Sequence, residues 1–221
     1  MICGLQKMTL LDFPGKIACT VFLGGCNFRC PFCHNSELFM GKPEKLMEDE
    51  DFFKFLKSRK GLLDGVCVSG GEPTLYKNLP EFLARIKELG FLVKLDTNGS
   101  RPEVLKALVE AGLVDYVAMD IKNSPRRYGE TTGVPGIRLD PVEESIRLLL
   151  SGKVDYEFRT TVTKTFHDLD SLIGAGELIK GAECWYLQAF KAGETVLDPS
   201  VTGYDEEALR SFLPHLTPYA Q

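Results

Sequence analysis

Short apolar runs alternate with amphipathic segments along this chain, and that alternation restricts its fold more than any other feature. Strands are predicted at residues 17–23, 65–69, 91–95, 116–119, 154–162 and 184–190. Helices are predicted at residues 51–60, 79–89, 102–111, 140–150, 168–180 and 205–213. Near-continuous apolar runs suit strands that are buried on both faces. The pattern therefore predicts an α/β fold with a parallel sheet, right-handed crossovers and outer helices.

The number of βα units limits the architecture further. Six units are fewer than the eight of a closed barrel, which leaves a partial (βα)6 barrel or a flat doubly wound sheet. We expect one domain over residues 1–221, with a core at about 16–190 and a C-terminal helix and tail at 191–221. Asp140 and Pro141 are expected to begin the fourth helix as N-cap and first residue. Pro214 and Pro218 are expected to keep the tail irregular.

Composition excludes several classes of function. The net charge of −5 gives no overall basic surface for nucleic acid. No apolar run approaches the roughly 20 residues of a membrane span, and the N-terminus has no signal-peptide pattern. Seven cysteines, three of them clustered, fit a reducing compartment better than a secreted disulfide framework. We therefore expect a cytoplasmic protein with neither nucleic acid nor membrane as partner.

Three thiols lie close together in a loop directly after the first predicted strand. Cys26, Cys30 and Cys33 form a CxxxCxxC pattern. Thiolates favour zinc or iron–sulfur clusters, and a structural zinc site usually takes four ligands. Three thiolates on a four-iron cluster would leave one iron free for a small molecule. A zinc knuckle or a degenerate ferredoxin loop remains the alternative.

This loop, CNFRCPFCHN at residues 26–35, resembles the signature of the radical S-adenosylmethionine (SAM) enzymes. The resemblance implies a [4Fe-4S] cluster held by the three cysteines, with SAM on the open iron. It also implies the partial (βα)6 barrel rather than the flat sheet. Phe32 would then pack near the adenine, and Asn35 would add a polar contact. His34 is expected to stay outside the ligand set.

Polar residues also lie at or just after the carboxyl ends of the five remaining predicted strands. In parallel α/β folds this edge of the sheet binds ligands. We therefore predict that these residues form one site with the cysteine loop: Gly70, Gly71, Glu72, Asp96, Asn98, Asp120, Lys122, Arg159 and Gln188.

Several of these residues have a specific expected role. The glycine pair lets backbone approach a ligand without obstruction from Cβ. The radical SAM resemblance implies that this segment binds the SAM amino group, with Glu72 nearest to it. Arg159 could pair with the SAM carboxylate through its planar fork. Asp96 and Asp120 could hold a cation beside the SAM carboxylate. This interpretation takes the cation to be monovalent.

The resemblance extends to a subfamily. TLLDFPGK at residues 9–16 and the segment 22–35 resemble the activating protein of anaerobic ribonucleoside-triphosphate reductase. DTNG at 96–99 and DIK at 120–122 are similar to motifs of pyruvate formate-lyase activating enzymes. The implied activity is reductive cleavage of SAM to a 5′-deoxyadenosyl radical, which abstracts a glycine Cα hydrogen from a glycyl radical enzyme. That partner would be the anaerobic reductase, and flavodoxin or ferredoxin would supply the electron.

Other functions remain open at this point. One is a pyruvate formate-lyase-type activating enzyme, and another is a radical SAM enzyme acting on a small molecule, such as a deazaguanine synthase. A non-enzymatic alternative is an iron–sulfur electron carrier or a zinc-binding interaction module, which predicts no SAM binding. For a protein partner, we expect docking at Arg126, Arg127 and Tyr128 in the long loop 123–139.

Overall fold

A computed structural model describes residues 1–41 and 44–220, and its centre is a seven-stranded sheet in chain order. The strands are β1 (Ile2–Thr9), β2 (Ala18–Leu23), β3 (Gly65–Gly70), β4 (Leu92–Thr97), β5 (Tyr116–Asp120), β6 (Asp155–Val162) and β7 (Trp185–Ala189). β1 is antiparallel to β2, and every later pair is parallel. Within the described residues the sheet is not closed. Strands β2–β7 therefore confirm the predicted partial barrel of six parallel strands.

Seven helices are described between and after the strands. They are α1 (Asp49–Lys57), α2 (Leu79–Glu88), α3 (Pro102–Glu110), α4 (Tyr128–Thr132), α5 (Asp140–Leu150), α6 (Leu169–Leu178) and α7 (Glu206–Leu216). Helices such as α1 and α2 bury one apolar face; Phe52 of α1 stacks on Phe82 of α2 with ring centroids 5.4 Å apart. Among the residues described, no helix is long and apolar enough to cross a bilayer.

The sheet interior explains why the parallel strands could be located from sequence. Val66, Val68, Val93, Leu95 and Val117 are all completely buried. β-Branched and aliphatic side chains on both faces of a strand produce the continuous apolar runs that the sequence carries. The carboxyl ends of β2–β7 consequently meet at one edge of the barrel.

One strand was not predicted. β1 pairs with β2 in the registers Ile2–Leu23, Gln6–Thr20 and Thr9–Ala18. Most of β1 is only partly buried or exposed, because it lies at the edge of the sheet. A polar, glycine-containing edge strand has no apolar run that distinguishes it from a loop. It forms because its backbone pairs with β2.

Two expectations about helix ends are wrong. Pro214 lies inside α7 instead of keeping the tail irregular. It falls in the last turn, where few backbone bonds are lost, and the buried Leu209 and Leu216 hold the helix against the fold. Asp140 is the first residue of α5 rather than its N-cap, and no side chain caps that helix. The Asp140 carboxylate instead pairs with Arg138 at 3.3 Å.

A glycine pair holds the end of β3 against the start of the cysteine loop. The Gly71 N–H donates to the Leu23 carbonyl at 2.9 Å, and the Glu72 N–H donates to the Gly25 carbonyl at 2.8 Å. Gly70 has φ of +125°, and a Cβ on it would lie 2.3 Å from the Leu23 oxygen. A Cβ on Gly71 would lie 2.0 Å from the Gly25 oxygen. These two positions therefore require glycine because neighbouring backbone atoms leave no room for a Cβ. Any requirement from a ligand would come in addition.

We predict that Gly71→Ala destabilises the apoprotein by about 3 kcal/mol, because backbone atoms cannot move away as a flexible side chain could. Denaturant unfolding of the metal-free protein measures this loss. Gly193→Ala is the matched control, since a Cβ there meets no atom within 4 Å. Equal stability of the two variants would contradict the proposed close approach.

Candidate functional site

A cavity of about 260 Å³ lies at the carboxyl edge of the barrel. It brings together residues from the ends of all six parallel strands and from the loops that follow them. All but one of the residues predicted for the site line it: Cys26, Cys30, Cys33, Phe32, Asn35, Gly70, Gly71, Asp96, Asn98, Asp120, Lys122, Arg159 and Gln188. The positional argument from strand ends therefore predicted which residues the fold brings together, and their role as a binding site stays a prediction.

Glu72 is the exception, because its carboxylate is directed into the protein. The side chain is buried and accepts hydrogen bonds from the Thr74 hydroxyl (2.5 Å) and N–H (3.2 Å). It also accepts from the Thr97 hydroxyl (2.7 Å) and the Asn98 N–H (2.7 Å). Burial raises the pKa of Glu72, while these donors act in the opposite direction. The Glu72 carboxylate thereby joins the loops after β3 and β4. Its expected place nearest the SAM amino group stays a prediction.

The three thiols lie in a nearly dry environment. Cys30 is only 7% exposed, and Cys26 and Cys33 are partly buried. Burial raises the pKa of Cys26 to about 11 and that of Cys30 to about 12. The Phe28 N–H donates to the Cys26 sulfur at 3.4 Å, and the charge of Lys122 favours the Cys30 thiolate. A soft metal would have to displace the thiol protons, and a donor N–H and a cation are present to stabilise the resulting sulfur charge.

Other residues of the cysteine loop connect it to neighbouring segments. The Asn35 amide donates to the Gly70 carbonyl at 3.3 Å, which links this loop to the end of β3. Phe32 is buried and lies 6.1 Å from Phe166, ring centroid to ring centroid. His34 Nε2 lies 2.6 Å from the Lys191 carbonyl, and the imidazole packs near Phe190. His34 is therefore engaged with the segment after β7.

A ladder of alternating charges crosses the barrel interior to this cavity. Asp96 pairs with Lys94 at 2.6 Å and with Arg159 at 3.5 Å. Asp120 pairs with Arg159 at 3.1 Å and with Lys122 at 2.8 Å. Burial alone would raise the pKa of Asp120, but the charges of Lys122 and Arg159 outweigh it and lower that pKa to about 2. Both carboxylates therefore remain ionised.

This ladder changes two expectations about the site. The fork of Arg159 already faces Asp96 and Asp120, so a ligand carboxylate would have to share it. Asp96 and Asp120, the carboxylates expected to hold a cation, each pair with two basic side chains. In the part of the chain that the structure describes, no three His, Cys, Asp or Glu side chains are gathered in a way that could hold a single metal ion.

Sequence reasoning missed His167, which is almost completely buried beside the site. Its Nδ1 accepts from the Thr163 N–H at 3.2 Å, so Nε2 carries the hydrogen and donates to the Lys122 carbonyl at 2.9 Å. The ring thereby fixes the backbone of Lys122. Burial lowers the pKa of His167 to about 4. His167 and Lys122 lie 45 positions apart in the chain, and no local pattern connects them.

The long loop 123–139 contains the three residues predicted for partner docking, and the structure contradicts the prediction for one of them. Tyr128 is completely buried in α4, so the expectation that it contacts a partner is wrong. Arg127 pairs with Glu130 at 3.2 Å and with Asp168 at 3.6 Å. Arg126 and Arg127 line a separate groove against α6.

The structure is an α/β protein with an open barrel of parallel strands, and three thiols and a buried charge ladder lie at the carboxyl edge of that barrel. Thiolates suit a soft metal or an iron–sulfur cluster. The sequence profile of the radical SAM superfamily matches residues 20–170. The chain therefore belongs to this superfamily, whose members use a [4Fe-4S] cluster and SAM.

Individual relatives refine this assignment. A protein of Methanocaldococcus jannaschii, whose assigned but unproven role is the activation of a glycyl-radical enzyme, is 32% identical over 97% of this chain and 86% of its own length. The pyruvate formate-lyase-activating enzyme of Clostridium pasteurianum is 36% identical over 55% of this chain and 52% of its own. A 7-carboxy-7-deazaguanine synthase of Koribacter versatilis is 31% identical over 70% of this chain and 65% of its own.

A solved structure supports the fold. Streptococcus suis SuiB bound to S-adenosylmethionine superposes with a TM-score of 0.69 at 16% identity, over 90% of this chain and 48% of that one. The residues found here fit the superfamily's cofactors. Cys26, Cys30 and Cys33 would hold the cluster, and the nearby Lys122 ammonium would offset its negative charge.

We predict that the stability of the apoprotein falls by about 2 kcal/mol between pH 7 and pH 5 because of His167. The folded pKa of about 4 lies below the usual value of 6.5, so the unfolded state takes up a proton first as pH falls. The contribution is complete above pH 6.5 and is lost towards pH 4. Denaturant unfolding at several pH values measures this dependence.

His167→Gln serves as the control, because glutamine can replace both hydrogen bonds without titrating. This variant is expected to show a flatter dependence on pH over the same range. The same slope in both proteins would show that His167 is not kept neutral by the fold.

Proposed function

We propose that this protein is an activating enzyme for a glycyl radical enzyme. The observation that carries the proposal is the alignment with the M. jannaschii protein over 97% of this chain. The barrel also has a second cavity, of about 500 Å³. It lies between the β1–β2 connection, which contributes Leu11, Asp12 and Pro14, and strand β7. Arg159 and Gln188 line both this cavity and the one that contains the cysteines. The two cavities therefore adjoin at these two side chains.

The rim of this second cavity carries exposed apolar side chains. Leu11 is 90% exposed, and Leu10 and Tyr186 are also exposed. Exposed aliphatic and aromatic side chains beside a cavity favour an apolar partner surface. A small-molecule substrate would instead be expected to be enclosed for most of its surface.

The proposed reaction divides the work between cofactor and protein. When bound, the cofactor supplies one electron to SAM, which yields methionine and a 5′-deoxyadenosyl radical that takes a hydrogen atom from a glycine Cα. Cys26, Cys30 and Cys33 would hold the cluster, and the strand ends at Gly70–Gly71 and Asp96–Asn98 would line the SAM site. The buried ladder from Lys94 to Lys122 would fix the charges around it.

The partner and the setting are part of the proposal. Anaerobic ribonucleotide reductase is the proposed partner because residues 9–16 and 22–35 resemble its activating protein. Flavodoxin or ferredoxin is the proposed electron donor. The site needs three reduced thiols, and this favours a location in the cytoplasm.

Three alternatives make different predictions. A pyruvate formate-lyase-type activating enzyme would act on a different glycine. A deazaguanine synthase would consume a small molecule and no partner protein. An iron–sulfur carrier or zinc module would bind no SAM. The alignment over nearly the whole length of the M. jannaschii protein supports glycyl-radical activation over the last two.

We expect the reconstituted, reduced protein to bind about four irons and to form 5′-deoxyadenosine from SAM under anaerobic conditions. Cys30→Ala should lose both properties. Cys19→Ala is the matched control, since Cys19 is completely buried in β2 and lines neither cavity. Zinc binding without SAM cleavage in the wild-type protein would support the non-enzymatic alternative.

We expect the loaded protein to produce a glycyl radical, detected by electron paramagnetic resonance, on anaerobic ribonucleotide reductase. Leu11→Glu should lower the yield at least tenfold and leave SAM cleavage without partner unchanged, because it places a charge on the apolar rim. Leu62→Glu is the control, an exposed leucine that lines neither cavity. A radical on pyruvate formate-lyase alone would reassign the partner, and equal yields from both variants would contradict docking at this rim.

A further inference from the structure

Neighbouring backbone holds the cysteine loop at three places, and the first two belong to the packed barrel. At the start of the loop, the Glu72 N–H donates to the Gly25 carbonyl at 2.8 Å. In its middle, the Arg29 N–H donates to the Thr132 carbonyl at the end of α4, also at 2.8 Å. A Cβ on Gly133, which has φ of +65°, would lie 2.3 Å from the Arg29 oxygen. The end of β3 and the buried helix α4 thus fix the first half of the loop.

The third contact comes from residues 191–198, a segment after β7 that is here termed the strap. The Leu197 N–H donates to the Cys33 carbonyl at 3.2 Å. The Asp198 N–H donates to the Pro31 carbonyl at 2.8 Å. The strap is therefore bonded directly to the backbone that carries the third thiol.

Two side chains from the end of the loop also bind the strap. The Ser36 hydroxyl donates to the Thr195 carbonyl at 2.6 Å. His34 Nε2 lies 2.6 Å from the Lys191 carbonyl. These contacts extend the attachment from residue 31 of the loop to residue 36. The residues that line the cysteine cavity come from elsewhere in the described chain, so the strap acts on the thiols through the loop.

The strap itself is weakly anchored. Residues 191–195 are exposed, and Val196 is the side chain by which the strap enters the core, at 7% exposure. Residues 191–198 are all described, and none of them belongs to a helix or a strand. Segments with few buried apolar contacts open at a free energy well below that of global unfolding. We therefore expect the strap to detach while the barrel stays folded.

We propose that the strap retains the metal cluster by positioning Cys33, and that its detachment, rather than unfolding of the barrel, limits the rate of cluster loss. A detached strap would free the loop from Pro31 to Ser36, whereas the first half would stay bonded to the barrel. The superfamily profile ends at residue 170, so the strap lies beyond the part of the chain that it matches. The inference rests on the proposed ligation by the three cysteines and is independent of the partner enzyme.

Native-state hydrogen exchange of the apoprotein tests detachment without any metal. By NMR, the amides of Leu197 and Asp198 are expected to exchange faster than those of Val68 and Leu95 in the sheet, and with a weaker dependence on denaturant. If all four amides exchanged together through global unfolding, the strap would not detach separately. The proposal would then be overturned, whether or not the protein binds iron.

Val196→Ala tests the consequence for the cluster, because it shortens the buried anchor of the strap. In the anaerobic loaded protein, iron release to a colorimetric chelator is expected to become about tenfold faster, since the strap loses packing in the core. Ser36→Ala removes the hydroxyl that is bonded to Thr195 and should accelerate release as well. This second variant leaves the core intact, so it provides the test if Val196→Ala does not fold.

Val114→Ala is the matched control. Val114 is 6% exposed and lies in the connection before β5, at the opposite edge of the sheet. Its loss should lower the free energy of unfolding to a similar extent and leave iron release at the wild-type rate. Equal acceleration by Val114→Ala would show that release follows global unfolding, and this result would overturn the proposal. Wild-type release from Val196→Ala and Ser36→Ala would overturn it as well.

Discussion

The site depends on the contact between the end of β3 and the end of β2. Gly70 and Gly71 let the two backbones approach so closely that any side chain would overlap Leu23 or Gly25. Glu72 continues this contact, since its buried carboxylate joins the next loop through Thr97 and Asn98. Three successive strand ends are thereby held in one arrangement. The cysteine loop starts from the first of them, so backbone packing positions its first residues.

Charge is the second organising factor of the interior. Lys94, Asp96, Arg159, Asp120 and Lys122 alternate in sign from the barrel interior to the cysteines. Buried ionised groups are costly unless each has a partner, and here every carboxylate faces two cations. The last cation in the series lies beside the thiols, where a cluster bearing negative charge would be stabilised. The ladder therefore connects the polar interior to the cofactor site.

The residues around the cavity were largely predictable, while their roles were less so. Parallel strands share one carboxyl edge, so a polar residue at each strand end was sufficient to group Asp96, Asp120 and Arg159. Spacing alone could not show that these side chains pair with each other before they meet a ligand. Glu72 lies beside two cavity residues in the chain, but its side chain is directed the other way. His167 comes from a distant segment, and its hydrogen bond to the Lys122 carbonyl exists only in the folded chain.

The sequence by itself determined the α/β class, the six parallel strands and the three-thiol loop, because each of these depends on a local pattern of residues. The patterns are continuous apolar runs, amphipathic periods and a short cysteine spacing. Tertiary structure alone decided the edge strand β1, the burial of α4 and the pairing of the charge ladder. The edge strand β1 forms only where β2 is available to pair with it, and α4 is buried only where neighbouring segments cover it. The ion pairs of the ladder form only where the strands that carry them are in register. Such contacts join positions far apart in the chain, and their energies depend on distance and burial rather than on residue type.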